Sequence, residues 1–202
     1  MSKRVYISAD YSEDSGDRNV VETLNKWGTD KLHKVDFIDM AKVVSGSISS
    51  DSDCRACDLK KEFNNQINAS SAVIIVIGDK TKERTAGSSC QRSNKAWNEC
   101  SCTPYKQNAN GAKICKAYNT SDADNKNVEN INTYSYIRHE FEQAQKSNKE
   151  IIVVYNSLRN EVHWLPVYMK EYESVAQPFW IIDSNGNKVG DYSYIKEALG
   201  YE

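Results

Sequence analysis

Two uninterrupted apolar runs, Val73 to Ile77 within AVIIVIG and Ile151 to Tyr155 within EIIVVY, constrain the fold of this chain more than any other feature. A strand with one wet face alternates apolar and polar residues, whereas these are apolar at successive positions and must be covered on both sides. Such strands belong to the middle of a parallel sheet packed between helices. Three more runs bounded by polar clusters, RVYIS at 4–8, KVDFI at 34–38 and PFWII at 178–182, join AVIIVIG at 72–78 and EIIVVY at 150–155 to make five expected strands.

Helical spacings fall between them. Val20, Val21, Leu24 and Trp27 form one stripe, Leu59, Phe63 and Ile67 a second at intervals of four, and Tyr136, Ile137, Phe141 and Ala144 a third. Strand and helix therefore alternate, which predicts an α/β fold of flavodoxin-like type: a doubly wound, parallel five-stranded sheet with helices on both faces and right-handed crossovers. In such a sheet ligands bind beyond the carboxyl ends of the strands, at the topological switch point.

A length of 202 residues suits one domain over 1–202. The stretch 79–132, rich in Lys, Asn, Ser, Thr, Gly and Cys without a steady apolar period, reads as an insertion that is functional, mobile or held by something other than a core. A second irregular stretch, 156–177, contains Trp164, Leu165, Pro166, Val167 and Tyr168 and is expected to be a packed loop with a short helix.

The net charge of −2, with both signs interspersed, offers no long-range field to gather nucleic acid or an anionic membrane. No apolar run is long enough to span a bilayer, and MSKRVYISADYS lacks the apolar stretch of a signal peptide, so a cytoplasmic location is expected. In that reducing compartment the six cysteines read as thiols, metal ligands or redox groups rather than a disulfide framework. Cys90, Cys100, Cys102 and Cys115 lie in the insertion and offer a candidate zinc set, yet they lack the paired CxxC arrangement of strong zinc motifs. Free thiols are the preferred reading and no metal is assigned. Cys54 and Cys57 form a CxxC that follows a polar loop instead of a first strand, which argues against a thioredoxin-type redox centre.

The most informative short segment is YSYIRHEFEQAQ, an expected helix directly before EIIVVY. Tyr136 and Glu140 stand four apart and share a face, and the first turn should lie at the carboxyl end of the sheet. On the pattern alone, Glu140 is either a solvated helical glutamate or a functional carboxylate. Neither GxGxxG nor GxxxxGK[ST] occurs, so a nucleotide would bind without the Rossmann fingerprint or a P-loop.

In order along the chain, RVYISADYS, a helix ending in NKW, FIDMAK, LKKEFNNQINASSAVIIVIGDKT and YIRHEFEQAQKSNKEIIVVY resemble the bacterial Toll/interleukin receptor (TIR)-like proteins. Among them the chain is similar to the small TIR proteins (ThsB-type) of Thoeris antiphage defence systems. This resemblance implies cleavage of NAD as a substrate, with no bound cofactor, and an ADP-ribose-derived signal that activates a separate effector. It also implies self-association into a homo-oligomer. Catalytic members carry an aromatic residue four positions before a glutamate, often tryptophan; here the corresponding residues are Tyr136 and Glu140.

The same resemblance sets Ser8, Asp10 and Tyr11 beside the nucleotide and makes Asp39, Met40, Ala41 and Lys42 the start of a loop bordering the site. Ser8 and Asp10 suit ribose hydroxyls and Tyr11 suits a base, or Ser and Asp simply cap the next helix. Lys42 meets a phosphate or only solvent. An ionised Glu140 would stabilise or trap the oxocarbenium-like state formed as nicotinamide leaves. Nicotinamide departs carrying its own positive charge, so neither His139 nor Glu142 is needed as an acid.

A non-catalytic module that assembles through the loop after Asp39 is the competing function. A response-regulator phosphoacceptor would need an acidic pair after the first strand, where only Asp10 stands, and an acceptor aspartate ending the third, where Gly78 and Asp79 occur. SADYSEDSGD suits the FMN-phosphate loop of a flavodoxin poorly.

Overall fold

The computed structural model describes residues 3–12, 14–29, 35–40, 59, 62–84 and 135–201, together with the backbone of 105–107 and 113–115. Its strands are β1 (Lys3–Ser8), β2 (Val35–Asp39), β3 (Ala72–Ile77), β4 (Tyr105–Gln107), β5 (Lys113–Cys115), β6 (Glu150–Tyr155), β7 (Gln177–Pro178), β8 (Trp180–Ile182) and β9 (Lys188–Gly190). The helices are α1 (Asp17–Thr29), α2 (residues 62–68), α3 (Tyr136–Lys146) and α4 (Tyr192–Ala198).

Five strands form one parallel sheet in the order β2-β1-β3-β6-β7. This is the flavodoxin-like order, with its switch point between β1 and β3. All six residues of β3 are buried, as a strand covered on both faces requires.

Alternation along the strands sorts the core into two layers. Val5, Ile7, Ile74, Val76 and Val154 pack against Val20, Val21 and Leu24 of α1 and against Ile195 of α4. On the other face, Tyr6, Val73, Ile75, Ile77 and Val153 meet Phe63 and Ile67 of α2 and Ile137, Phe141 and Ala144 of α3. Each fully buried Val, Ile or Leu contributes roughly 1.5–3 kcal/mol, so the two layers are the principal source of stability.

The fifth expected strand, 178–182, divides. Only Gln177–Pro178 joins the sheet, beside Val154 and Tyr155, while Trp180–Ile182 turns away and pairs antiparallel with Lys188–Gly190. The ladder with β6 runs on past Pro178 through the Phe179 amide, which donates to Tyr155 O at 2.8 Å, and gives way where Trp180–Ile182 pairs with Lys188–Gly190. The stretch 156–177 holds two 3₁₀ turns, Val162–Trp164 and Val167–Tyr172, with Leu165 and Met169 buried beneath them. Within the insertion, β4 and β5 form a two-stranded antiparallel hairpin. The side chains of Cys54, Cys57, Cys90, Cys100, Cys102 and Cys115 lie outside the described residues, as do Ala41 and Lys42.

α3 begins at Tyr136, two residues later than the expected segment. Ser135 caps it, its Oγ accepting the Arg138 amide hydrogen at 3.4 Å. Asn148, in the left-handed region at φ 49°, carries the chain from the end of α3 into β6.

Candidate functional site

β1 supplies the first part of the site through its alternation. Tyr6 and Ser8 are two apart and point to the same side of the sheet, where α3 covers them. Glu140 comes from one turn inside α3 and meets both: Tyr6 Oη donates to Oε1 at 2.6 Å, and Ser8 Oγ donates to Oε2. The carboxylate is 4% exposed, so the solvated reading does not hold. Burial pushes its pKa up to about 7, against the lowering effect of the hydrogen bonds from Ser8 and Tyr6. Near neutral pH the group therefore exists in both protonation states.

Both partners are hydroxyls, which accept as well as donate. They can keep their bonds to Glu140 when it is ionised and when it carries a proton. The Tyr6 phenol is held well above its ordinary pKa by burial and then by the neighbouring Glu140 charge, so it serves as a donor.

Tyr11 lies at the carboxyl edge of the sheet, partly buried against both core layers. Burial raises its phenol pKa, and the charges of Asp39 and Glu140 raise it further, which puts all three in one electrostatic neighbourhood. Asp39, the last residue of β2, is buried and accepts a hydrogen bond from Asn25 Nδ2 at 2.9 Å. Tyr168 is a further phenol raised chiefly by burial and, more weakly, by Glu142 and Glu140.

Asp10 is directed elsewhere. Its Oδ1 accepts from the amide and hydroxyl of Ser12, and its Oδ2 accepts from Arg84 Nε at 2.6 Å. The β1–α1 loop is thus shaped by an Asx turn and an ion pair, and Asp10 is committed to holding that loop. Tyr136 packs edge-on against Phe63, with ring centroids 5.5 Å apart, and so fastens α3 to α2. His139 meets Asn64 at 2.9 Å and Glu142 pairs with Arg138 at 2.9 Å, both apart from the Tyr6–Ser8–Glu140 contact.

A second buried carboxylate, absent from the expectations, lies on the opposite side of the sheet. Asp17 opens α1 with 0% exposure, accepting the Asp10 amide hydrogen at 3.2 Å and Asn156 Nδ2 at 3.0 Å. Asn156 in turn accepts from the Trp180 indole at 2.8 Å. Burial raises the Asp17 pKa to about 7, opposed by the bonds from Asn156 and the Asp10 amide. Gly78, just past β3, makes room for it: a Cβ there would sit 2.7 Å from Asp17 Oδ1.

Sequence reasoning passed over Tyr6, Asp17, Asn156 and Arg84. For Tyr6 a signal was available, since it lies two residues before Ser8 on the same strand face. Asp17 looked like an ordinary acidic residue in a helix's first turn. Among the described residues, no cluster of His, Cys, Asp or Glu is arranged to hold a metal ion. Nor is any described helix long and apolar enough to cross a membrane.

Residues 6–86 match the family model described as Thoeris protein ThsB, TIR-like domain. The match runs from β1 through β3 and includes Tyr6, Ser8, Asp10, Tyr11, Asp17, Asp39 and Arg84; α3, with Glu140, lies beyond it. No curated protein and no solved structure gives a significant match.

Proposed function

We propose that this TIR-like chain, similar to the ThsB proteins of Thoeris antiphage defence, cleaves NAD at the ribosyl–nicotinamide bond with Glu140 as its working carboxylate. The observation that carries the reading is the buried Glu140 held by Tyr6 and Ser8 at the carboxyl end of β1, beside the switch point of the sheet. A carboxylate shielded from water stabilises a nearby cation far more than an exposed one does.

In this mechanism the electron pair of the bond from C1′ to nitrogen leaves with nicotinamide, whose pyridinium becomes neutral. Positive charge then develops on the anomeric carbon, and ionised Glu140 stabilises it or bonds to it. Attack by water yields ADP-ribose; attack by a hydroxyl of the same molecule yields a cyclic product. Either is an ADP-ribose-derived compound suited to act as a diffusible signal for a downstream effector. Tyr6 and Ser8 set the orientation and proton affinity of the carboxylate, and Tyr11 and Asp39 border the nucleotide. The protein works in the cytoplasm as a homo-oligomer, with NAD consumed as substrate.

The competing reading is a non-catalytic assembly module. It draws on the fact that both oxygens of Glu140 already accept protein hydrogen bonds, as a structural peg would. Nicotinamide release by the purified wild type and by Glu140→Gln, with products separated by chromatography and identified by mass, distinguishes the two. Assays are run with and without phage-infected lysate to supply a trigger. Release by wild type and at least a roughly 100-fold loss in the variant support the enzyme. Equal release removes Glu140 from that role, and no release by wild type under either condition favours the module.

A further inference from the structure

We infer that Asp17 is a positioning residue for the β1–α1 loop, a lock on the sheet face opposite Glu140 that fixes the loop carrying Asp10 and Tyr11 against the end of β6; its catalytic consequence rests on the NAD-cleaving reading above. Four connections carry the inference. Asp17 Oδ2 takes the Asp10 amide, Oδ1 takes Asn156 Nδ2, Asn156 Oδ1 takes the Trp180 indole, and the Asn156 amide continues the sheet by donating to Ile77 O at 2.9 Å. One buried carboxylate thus joins the segments following β1 and β6, with Trp180 of β8 as the far anchor. The absence of a side chain at Gly78 is the steric counterpart, because a methyl there would enter the space of Oδ1.

The lock acts on the loop rather than on a reacting atom. Ser8, which holds Glu140, is only two residues before Asp10, so the fixed Asp10 amide sets where β1 ends and where Tyr11 points. Ser15 reinforces the turn by donating to Asp10 O at 2.6 Å and accepting from the Asp17 amide. Arg84 closes it from the β3 side through Asp10. A misplacement of about 1 Å at a substrate-bearing loop is enough to slow a reaction by about 100-fold.

The polarity of the lock supplies its test. In Asp17→Asn, the new carboxamide can accept from the Asp10 amide, but its NH₂ then faces the NH₂ of Asn156. If Asn156 flips to accept, the Trp180 indole loses its acceptor. In the double variant Asp17→Asn with Asn156→Asp every bond is restored with its direction reversed between the two side chains: Asn at 17 accepts from Asp10 and donates to Asp at 156, which accepts from Trp180. The full-length chain is assayed for hydrogen exchange at the Asp10 amide, for melting temperature and for nicotinamide release.

The expected result is faster Asp10 exchange and a roughly 10- to 100-fold lower kcat/KM in the single variant, with the fold retained and the melting temperature lower by several degrees, as one unpaired buried donor implies. In the double variant both should return to within about threefold of wild type. Unchanged exchange in the single variant, or a loss that the double variant does not recover, overturns the lock. Altered and recovered exchange with wild-type kcat/KM throughout keeps the lock but removes its role in catalysis. If wild type releases no nicotinamide, the NAD reading fails, and exchange alone decides whether Asp17 fixes the loop.

Discussion

Glu140 and Asp17 are both carboxylates taken out of water at the carboxyl end of the same sheet, one on each face, and burial pushes the pKa of each to about 7. They differ in their partners. Glu140 is held by two hydroxyls, which can reverse their hydrogen bonds, whereas Asp17 is held by a backbone amide and a carboxamide nitrogen, which only donate. Hydroxyl partners can follow Glu140 through either protonation state, whereas the donor-only partners of Asp17 favour its ionised form and oppose the effect of its burial. The two residues are both buried and bear the same functional group, so the difference between them lies in what their surroundings can donate and accept.

The largest effect that sharpens this contrast is on stability against pH. For each group the folded pKa lies above the unfolded one, so the folded state holds the proton more tightly. The stability each contributes is fully present below the unfolded pKa and is lost as pH rises through the folded value of about 7. The loss is on the order of 3 kcal/mol per group between about pH 4 and pH 8. Denaturant unfolding at several pH values should show this decline. Glu140→Gln should remove roughly half of it and be more stable than wild type at about pH 8, because no charge remains to be buried. An unchanged slope would mean that Glu140 is ionised throughout.

Gly78→Ala comes next. The added methyl cannot fit 2.7 Å from Asp17 Oδ1, and displacement of the carboxylate should cost about 1–3 kcal/mol of unfolding free energy. Tolerance of alanine would break the claim that this joint is closely fitted. A smaller change is expected from Ser8→Ala and Tyr6→Phe, each of which deletes one donor to the ionised form of Glu140. The pH midpoint of nicotinamide release should move upward by about one unit in each, because hydrogen bonds to a carboxylate favour its charged form. The smallest effect is at the helix cap: Ser135→Ala should lower stability by about 1 kcal/mol without moving that midpoint.

Much of the architecture was legible because burial on both faces leaves a simple mark. The runs through Val73 and Ile151 led directly to β3 and β6, and the stripes at Val20, Phe63 and Phe141 to α1, α2 and α3. The last strand divides because PFWII has strand-forming residues throughout, while its second half is taken by the competing strand Lys188–Gly190, which lies beyond the run itself. Glu140 was singled out by the resemblance of YIRHEFEQAQ to the aromatic-and-glutamate segment of TIR-like proteins, since its place on a helix suits a solvated glutamate as well. Its holder Tyr6 was not, because an aromatic residue in a buried strand looks like core until its hydroxyl finds a partner. Asp17 was illegible for a similar reason: a first-turn aspartate is common on surface helices, and its burial depends on Gly78 and Asn156, 61 and 139 positions away in the chain.

The pH dependence of nicotinamide release, wild type beside Glu140→Gln, tests the central claim most directly. The wild-type rate should rise with pH as Glu140 ionises, with a midpoint near its pKa of about 7 and a plateau above, and the variant should lose that rate at every pH. A variant that releases nicotinamide at the wild-type rate, or a wild-type rate that is flat from about pH 5.5 to about pH 8.5, would contradict it.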